Sequence, residues 1–152
     1  MRLAHSSDET PFPDPLDALV FRFEDVPRQL RRLLDAALES YGLSRTQWRL
    51  LAYVFRQDGL TQSELARLLE LERATVGQAI DVLEAKRLIT RRPIPGDRRV
   101  WAIGATAEAR ALLPELRRVA AEISTQLFRG FDEADLATLR SLLERLNHNL
   151  AG

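Results

Sequence analysis

Apolar residues recur every three or four positions along most of this chain, and only a stretch near residue 90 breaks that habit. Over residues 16–41 Leu30, Leu34, Ala37 and Tyr41 make one helical stripe, with Leu33 and Leu38 beside it. Pro27 interrupts this pattern, since an interior proline loses a hydrogen bond and clashes with the preceding turn. The helix is therefore expected either to kink near residue 24 or to end there, with Asp25 capping a second one. Gly42 suits a helix end, and Ser44 is placed to cap a helix over residues 45–56 that buries Trp48, Leu51, Ala52 and Phe55.

Thr61 and Glu64 have the spacing of a capping box for a short helix over residues 62–69, with Leu65, Leu68 and Leu69 on one face. A turn at residues 70–72, plugged inward by Leu71, leads to a second helix reaching about Lys86. Val76, Ala79, Ile80 and Leu83 form its inner stripe; Ala74, Gln78, Asp81 and Ala85, flanked by Thr75 and Gly77, form a small, polar outer face. Residues 88–92 and 99–103 are β-prone, and residues 93–98 between them are turn chemistry, which predicts a hairpin. Beyond it Thr106 caps a helix to about residue 129 that Pro114 is placed to bend. Gly130 stops it and Asp132 caps the last helix. There Leu136, Leu139, Leu143, Leu146 and Leu150 alternate at three and four, an a/d seam. So much leucine on a terminal helix predicts pairing with a second copy, a homodimer.

Two apolar helices joined by a short turn, the second with a slim polar face, are what a helix-turn-helix needs to set a recognition helix against base edges. The hairpin is its companion wing. The whole chain is neutral, yet Lys86, Arg87, Arg91, Arg92, Arg98 and Arg99 face only Asp97 within residues 86–99, a local excess of five positive charges. Charge placed in this way is an electrostatic footprint for a polyanion. The expected fold is mainly α with a small antiparallel β hairpin: a winged helix-turn-helix core plus N- and C-terminal helices forming a dimerisation bundle. Residues 1–15 would be a mobile tail, 16–42 a dimerisation helix, 43–105 the DNA-binding lobe and 106–152 the C-terminal dimerisation helices.

From residue 43 to 113 the chain resembles the MarR (multiple antibiotic resistance regulator) family, closest to its SlyA-like branch. The residues that carry this are LSRTQWRLL from Leu43, LTQSELA from Leu60, TVGQAIDVLEAKRLI from Thr75 and PGDRR from Pro95. The resemblance implies a dimeric cytoplasmic transcription regulator, most simply a repressor, that binds a palindromic operator and releases it when a small aromatic compound binds. It aligns Arg99 with the family's minor-groove arginine and Asp97 with the acid that steadies the wing by pairing with it; Arg98 is the competing probe. The family usually has arginine at Gln78 and serine or threonine at Gly77, departures that predict tolerance of A·T base pairs.

On the recognition helix Gln78 is suited to pair bidentately with adenine, Thr75 to contact a base or a phosphate, and the Ala74 methyl to pack on a thymine methyl. Arg73, Arg91 and Arg92 are expected on phosphates, as are the backbone amides of Gln62 and Ser63. Phe21, Phe23, Tyr41, Trp48 and Tyr53 are candidates to line an effector cleft.

Composition narrows the alternatives. There is no cysteine, so disulfides, thiolate metal sites and thiol switches are excluded. The only histidines, His5 and His148, lie at opposite ends, and there is no Gly-rich phosphate loop, so neither an enzyme nor a metal or cofactor site is expected. No apolar run approaches the roughly 20 residues of a membrane span, and no membrane partner is expected. The rival from another class is a winged-helix protein-interaction module without DNA; it should lack a basic wing and show an apolar outer helix face.

Overall fold

A computed structural model describes residues 15–151, the side chain of Arg98 apart. The tail expected over residues 1–15 lies outside the described residues, except that Pro15 already opens a helix. In chain order the elements are α1 (Pro15–Glu39), α2 (Arg45–Arg56), β1 (Leu60–Thr61), α3 (Gln62–Leu69), α4 (Arg73–Ala85), β2 (Ile89–Ile94), β3 (Asp97–Ala105), α5 (Ala107–Leu127) and α6 (Glu133–Ala151). The strands form one antiparallel sheet in the order β1-β3-β2. The expected mainly-α winged helix is therefore what forms, with a third strand added to the hairpin.

The chain divides into two compact units, meeting between Glu115 and Leu116. In the first, Leu50, Leu51 and Val54 of α2, Leu65 and Leu69 of α3, Val76, Ile80 and Leu83 of α4, and Ile89 and Ile103 of the sheet are buried, together with Leu38 of α1. Each such side chain contributes about 1.5–3 kcal/mol on leaving water. Among the described residues no polar or charged side chain is buried with them. Local signals set the boundaries. Ser44 and Gln47 close a capping box on α2, and Gly42 takes φ +62° at the preceding corner. Thr106 caps α5 through the amide of Ala109, while its hydroxyl donates to the carbonyl of Arg87.

In the second unit, Gly130 takes φ +86° after α5, and the Phe128 and Phe131 rings meet edge to face 5.9 Å apart. Asp132 and Asp135 each accept the other's backbone amide, at 2.8 and 3.2 Å, which starts α6. No residue of α6 is buried.

Several expectations change. Of the two alternatives at Pro27, the divided helix does not form; α1 is continuous from Pro15 to Glu39. The turn around Pro27 is largely exposed, with Phe23 and Val26 in the open, so water can take the carbonyl that proline leaves without a donor. Pro114 is likewise contained within α5, which stops at Leu127 rather than 129. Helix α2 buries Leu50, Leu51 and Val54, whereas Ala52 is exposed and Trp48 and Phe55 are half-buried. The inner face is thus turned by one residue, about 100°. The bulkier Leu50 and Val54 gain more by burial than Ala52 does. Finally, residues 93, 94, 97 and 98 belong to strands, leaving only Pro95 and Gly96 as the turn.

Candidate nucleic-acid interface

Helix α3 begins on a full capping box: the Thr61 hydroxyl accepts the amide of Glu64 at 3.2 Å, and Glu64 Oε2 accepts both the amide and the hydroxyl of Thr61 at 2.8 Å. Those two bonds favour the charged carboxylate and hold its pKa below the usual value, against a smaller opposing effect of burial. The box uses the third amide of the helix; those of Gln62 and Ser63, the first two, are the ones an α-helix leaves without internal acceptors. At the other end Glu70 adopts the left-handed conformation, φ +55°, and its amide closes back on Ala66 and Arg67.

The turn delivers the chain to α4, whose N-cap, Glu72, makes no side-chain cap bond. The side chain of Gln62 does the tying instead, its Nε2 donating to the carbonyl of Arg73 at 2.9 Å. The carboxamide lies across Gly77, where a Cβ would come within 2.8 Å of Nε2. Gly77 is therefore a close-approach position. Val76, Ala79, Ile80 and Leu83 face the core as expected, while Arg73, Ala74, Thr75, Gln78 and Asp81 are exposed. Val82 is the large apolar side chain in the open on this helix.

The wing leaves α4 through Arg87, which stands at φ +59°, and turns at Gly96, φ +90°. Its ladder runs evenly from the pair Ile89–Ala105 to the pair Pro93–Trp101. It then jumps to Ile94–Asp97, so that residues 98, 99 and 100 have no cross-strand partner. A proline cannot donate to the ladder, and a bulge beside it is where one is tolerated. Arg99 is exposed in this irregular segment, and its backbone amide donates to Asp97 Oδ1 at 2.9 Å. The expected steadying of the wing by Asp97 thus runs through the main chain of Arg99. The side chain of Arg98 lies outside the described residues.

The two arginines of β2 point to opposite faces, and each has acidic partners. Arg91 bonds Asp81 and Glu84 of α4 with its two terminal nitrogens, its side chain only 24% exposed. Burial alone would lower its pKa, but the hydrogen bonds and charges of the two acids outweigh that and raise it. Arg92 pairs with Asp58, in the loop before β1. That pair covers Gly104, where a Cβ would meet Asp58 Oδ1 at 2.8 Å and Arg92 Nη2 at 3.1 Å. The guanidinium of Arg91, expected on a phosphate, is engaged here by two acids of α4. Of the five excess charges counted in the sequence, those of Arg91 and Arg92 have carboxylates against them. Asp58, Asp81 and Glu84 were not anticipated: they lie from 7 to 34 residues away from their partners, and only the i, i+3 spacing of the two α4 acids hints at a shared cation.

Among the described residues, the aromatic candidates are placed as follows. Trp48 and Tyr53 share an open pocket of about 250 Å³ with Arg49, Ala52 and Arg56, whereas Phe23 lines another with Pro27 and Arg31. Phe21 is exposed on α1, and the Tyr41 hydroxyl is bonded to Glu115 at 3.3 Å. On α6, Leu143, Leu146 and Leu150 are exposed and Leu136 and Leu139 half-buried.

Residues 41–100 match the model of the MarR family. Among solved structures the chain is similar to a MarR transcriptional regulator from Methanosarcina mazei, at 24% identity over 89% of this chain and 98% of that one, with a TM-score of 0.77. It is similar to MepR of S. aureus solved as a DNA complex, at 25% identity over 86% and 96%, with a TM-score of 0.79. The transcriptional regulator SlyA gives 23% identity over 87% and 93%, with a TM-score of 0.77.

Proposed function

We propose that this chain, whose residues 41–100 match the model of the MarR family, is a homodimeric repressor of the SlyA-like branch that reads an inverted-repeat operator. Members of this family are transcription regulators rather than enzymes. The observation that carries the proposal is the pairing of two exposed features: the slim face of α4 bearing Ala74, Thr75 and Gln78, and the wing tip bearing Arg99. MepR, whose structure includes DNA, shares this fold at a TM-score of 0.79.

In the proposed complex α4 enters the major groove. Gln78 pairs with adenine, Thr75 contacts a base or phosphate, and Ala74 packs on a thymine methyl. Arg99, with Arg98 as the alternative probe, enters the adjacent minor groove, whose potential is most negative where it is narrow and A·T-rich. Arg73, Arg92 and the amides of Gln62 and Ser63 take phosphates and set affinity more than sequence preference. The exposed leucines of α6 are the proposed dimer seam with a second copy, and residues 16–42 and 106–152 are the proposed dimerisation segments. Two copies would then hold their α4 helices about 34 Å apart, one turn of DNA. The Trp48–Tyr53 pocket is the proposed receptor for an aromatic effector. Calorimetry against salicylate-like compounds tests it, and absence of both heat and any change in DNA affinity would refute it.

Selection of bound sequences from a random duplex pool tests the main proposal and should enrich an inverted repeat with half-sites about 10 base pairs apart. On the enriched duplex Gln78→Ala should cost about 1–3 kcal/mol, and little on random duplex. Enrichment of no sequence would refute operator reading, and equal losses on both duplexes would move Gln78 to a backbone role.

A further inference from the structure

The recognition helix and the wing are joined by a charged clamp with a definite direction. Cross-strand partners share a face of the hairpin, so Arg91 lies on the same side as Ile89 and Ile103, both buried, and as Pro93 and Trp101 further out. From that side its guanidinium reaches α4 and bridges Asp81 and Glu84, one turn apart. Arg92, on the opposite side, is anchored to Asp58 over the bare α-carbon of Gly104. The root of the wing is thus braced on both faces, while the tip past Pro93 is free of the regular ladder.

We propose that Arg91 is a positioning residue that fixes the wing at a set angle to the recognition helix, so that base reading by α4 and groove entry by the wing occur together. This rests on the DNA-binding function proposed above. A guanidinium suits the task because its planar fork can bond two carboxylates at once, which a lysine ammonium does less well. Two acids on the helix that approaches a polyanion are unfavourable for binding unless they serve another purpose. Holding Arg91 is that purpose.

The clamp and a phosphate contact differ in what substitution does. Arg91→Lys keeps the charge but cannot bridge both acids. It should lower the ratio of affinities for the selected over the random duplex by about tenfold, the order expected when an ion-pair network is broken, with the salt slope unchanged. Asp81→Asn with Glu84→Gln should lower the same ratio, because removing the acids frees Arg91 and loosens the wing. A phosphate contact predicts the opposite pattern. Arg91→Lys would then keep the ratio, Arg91→Ala would lower the salt slope by about 0.9, and removing the competing acids would tighten binding to both duplexes alike. Fluorescence anisotropy of labelled duplexes against salt, with circular dichroism of each variant to verify folding, separates them. The phosphate pattern overturns the clamp and leaves DNA binding standing. A wild-type protein that binds no duplex even at low salt overturns both.

Discussion

Replacing Gly77 by alanine should be nearly neutral in the native protein and stabilising by about 1 kcal/mol once Gln62 has been truncated. A glycine inside a helix costs about 1 kcal/mol relative to alanine, so the substitution has that much to gain. The new Cβ, however, would lie 2.8 Å from Nε2 of Gln62 and 3.6 Å from its Cδ. The carboxamide must therefore swing off the helix and give up its 2.9 Å bond to the Arg73 carbonyl. An intramolecular hydrogen bond is worth about 0.5–1.5 kcal/mol net, the same size as the gain and opposite in sign. Gln62→Ala removes the obstacle beforehand, and Gly77→Ala then realises its full benefit. Urea unfolding of the four proteins of this cycle, at one protein concentration because the stability of the proposed dimer would depend on it, should give a coupling of about 1 kcal/mol. In thermal unfolding that corresponds to roughly 2–4 °C for a chain of this length. Additivity within about 0.3 kcal/mol would refute the placement of Gln62 over Gly77.

Two further outcomes follow from the site. Arg99→Ala should weaken binding to any duplex and reduce the salt slope by about one, read from anisotropy titrations at several salt concentrations; a slope equal to that of the native protein would remove Arg99 from the groove. Glu64 has a folded pKa held below its unfolded value, so its contribution is fully present above the unfolded pKa, about 4.3, and disappears as pH falls through the folded one. The stability advantage of the native protein over Glu64→Gln should therefore shrink as pH is lowered from about 5, and an advantage independent of pH down to 3 would contradict the capping geometry.

What could be read from the chain in advance was whatever depends on neighbours in sequence. Thr61 with Glu64, Ser44 before α2 and the inner stripe of α4 are short-range patterns, and the structure has them at the expected residues. Strand β1 has no such pattern. Two residues, Leu60 and Thr61, become a strand only because Ile103 and Ala102 come alongside. Pro93 and Pro95 look like turn residues and make the wing look shorter than it is, although a proline opposite Trp101 is tolerated beside a bulge. Nothing local in the sequence marks Asp81, Glu84 or Asp58 as the partners of Arg91 and Arg92. In α2 apolar residues occur on more than one side, and periodicity alone did not choose Leu50 and Val54 over Ala52.

The clamp across β2 also defines what must travel together if this protein is given a new binding preference. Grafting a foreign reading helix alone would discard Asp81 and Glu84 and leave a strand arginine with nothing to grip. The smallest transplantable cassette is therefore residues 73–91, the helix with the start of β2, with Gln62 retained in the host to meet a glycine at position 77.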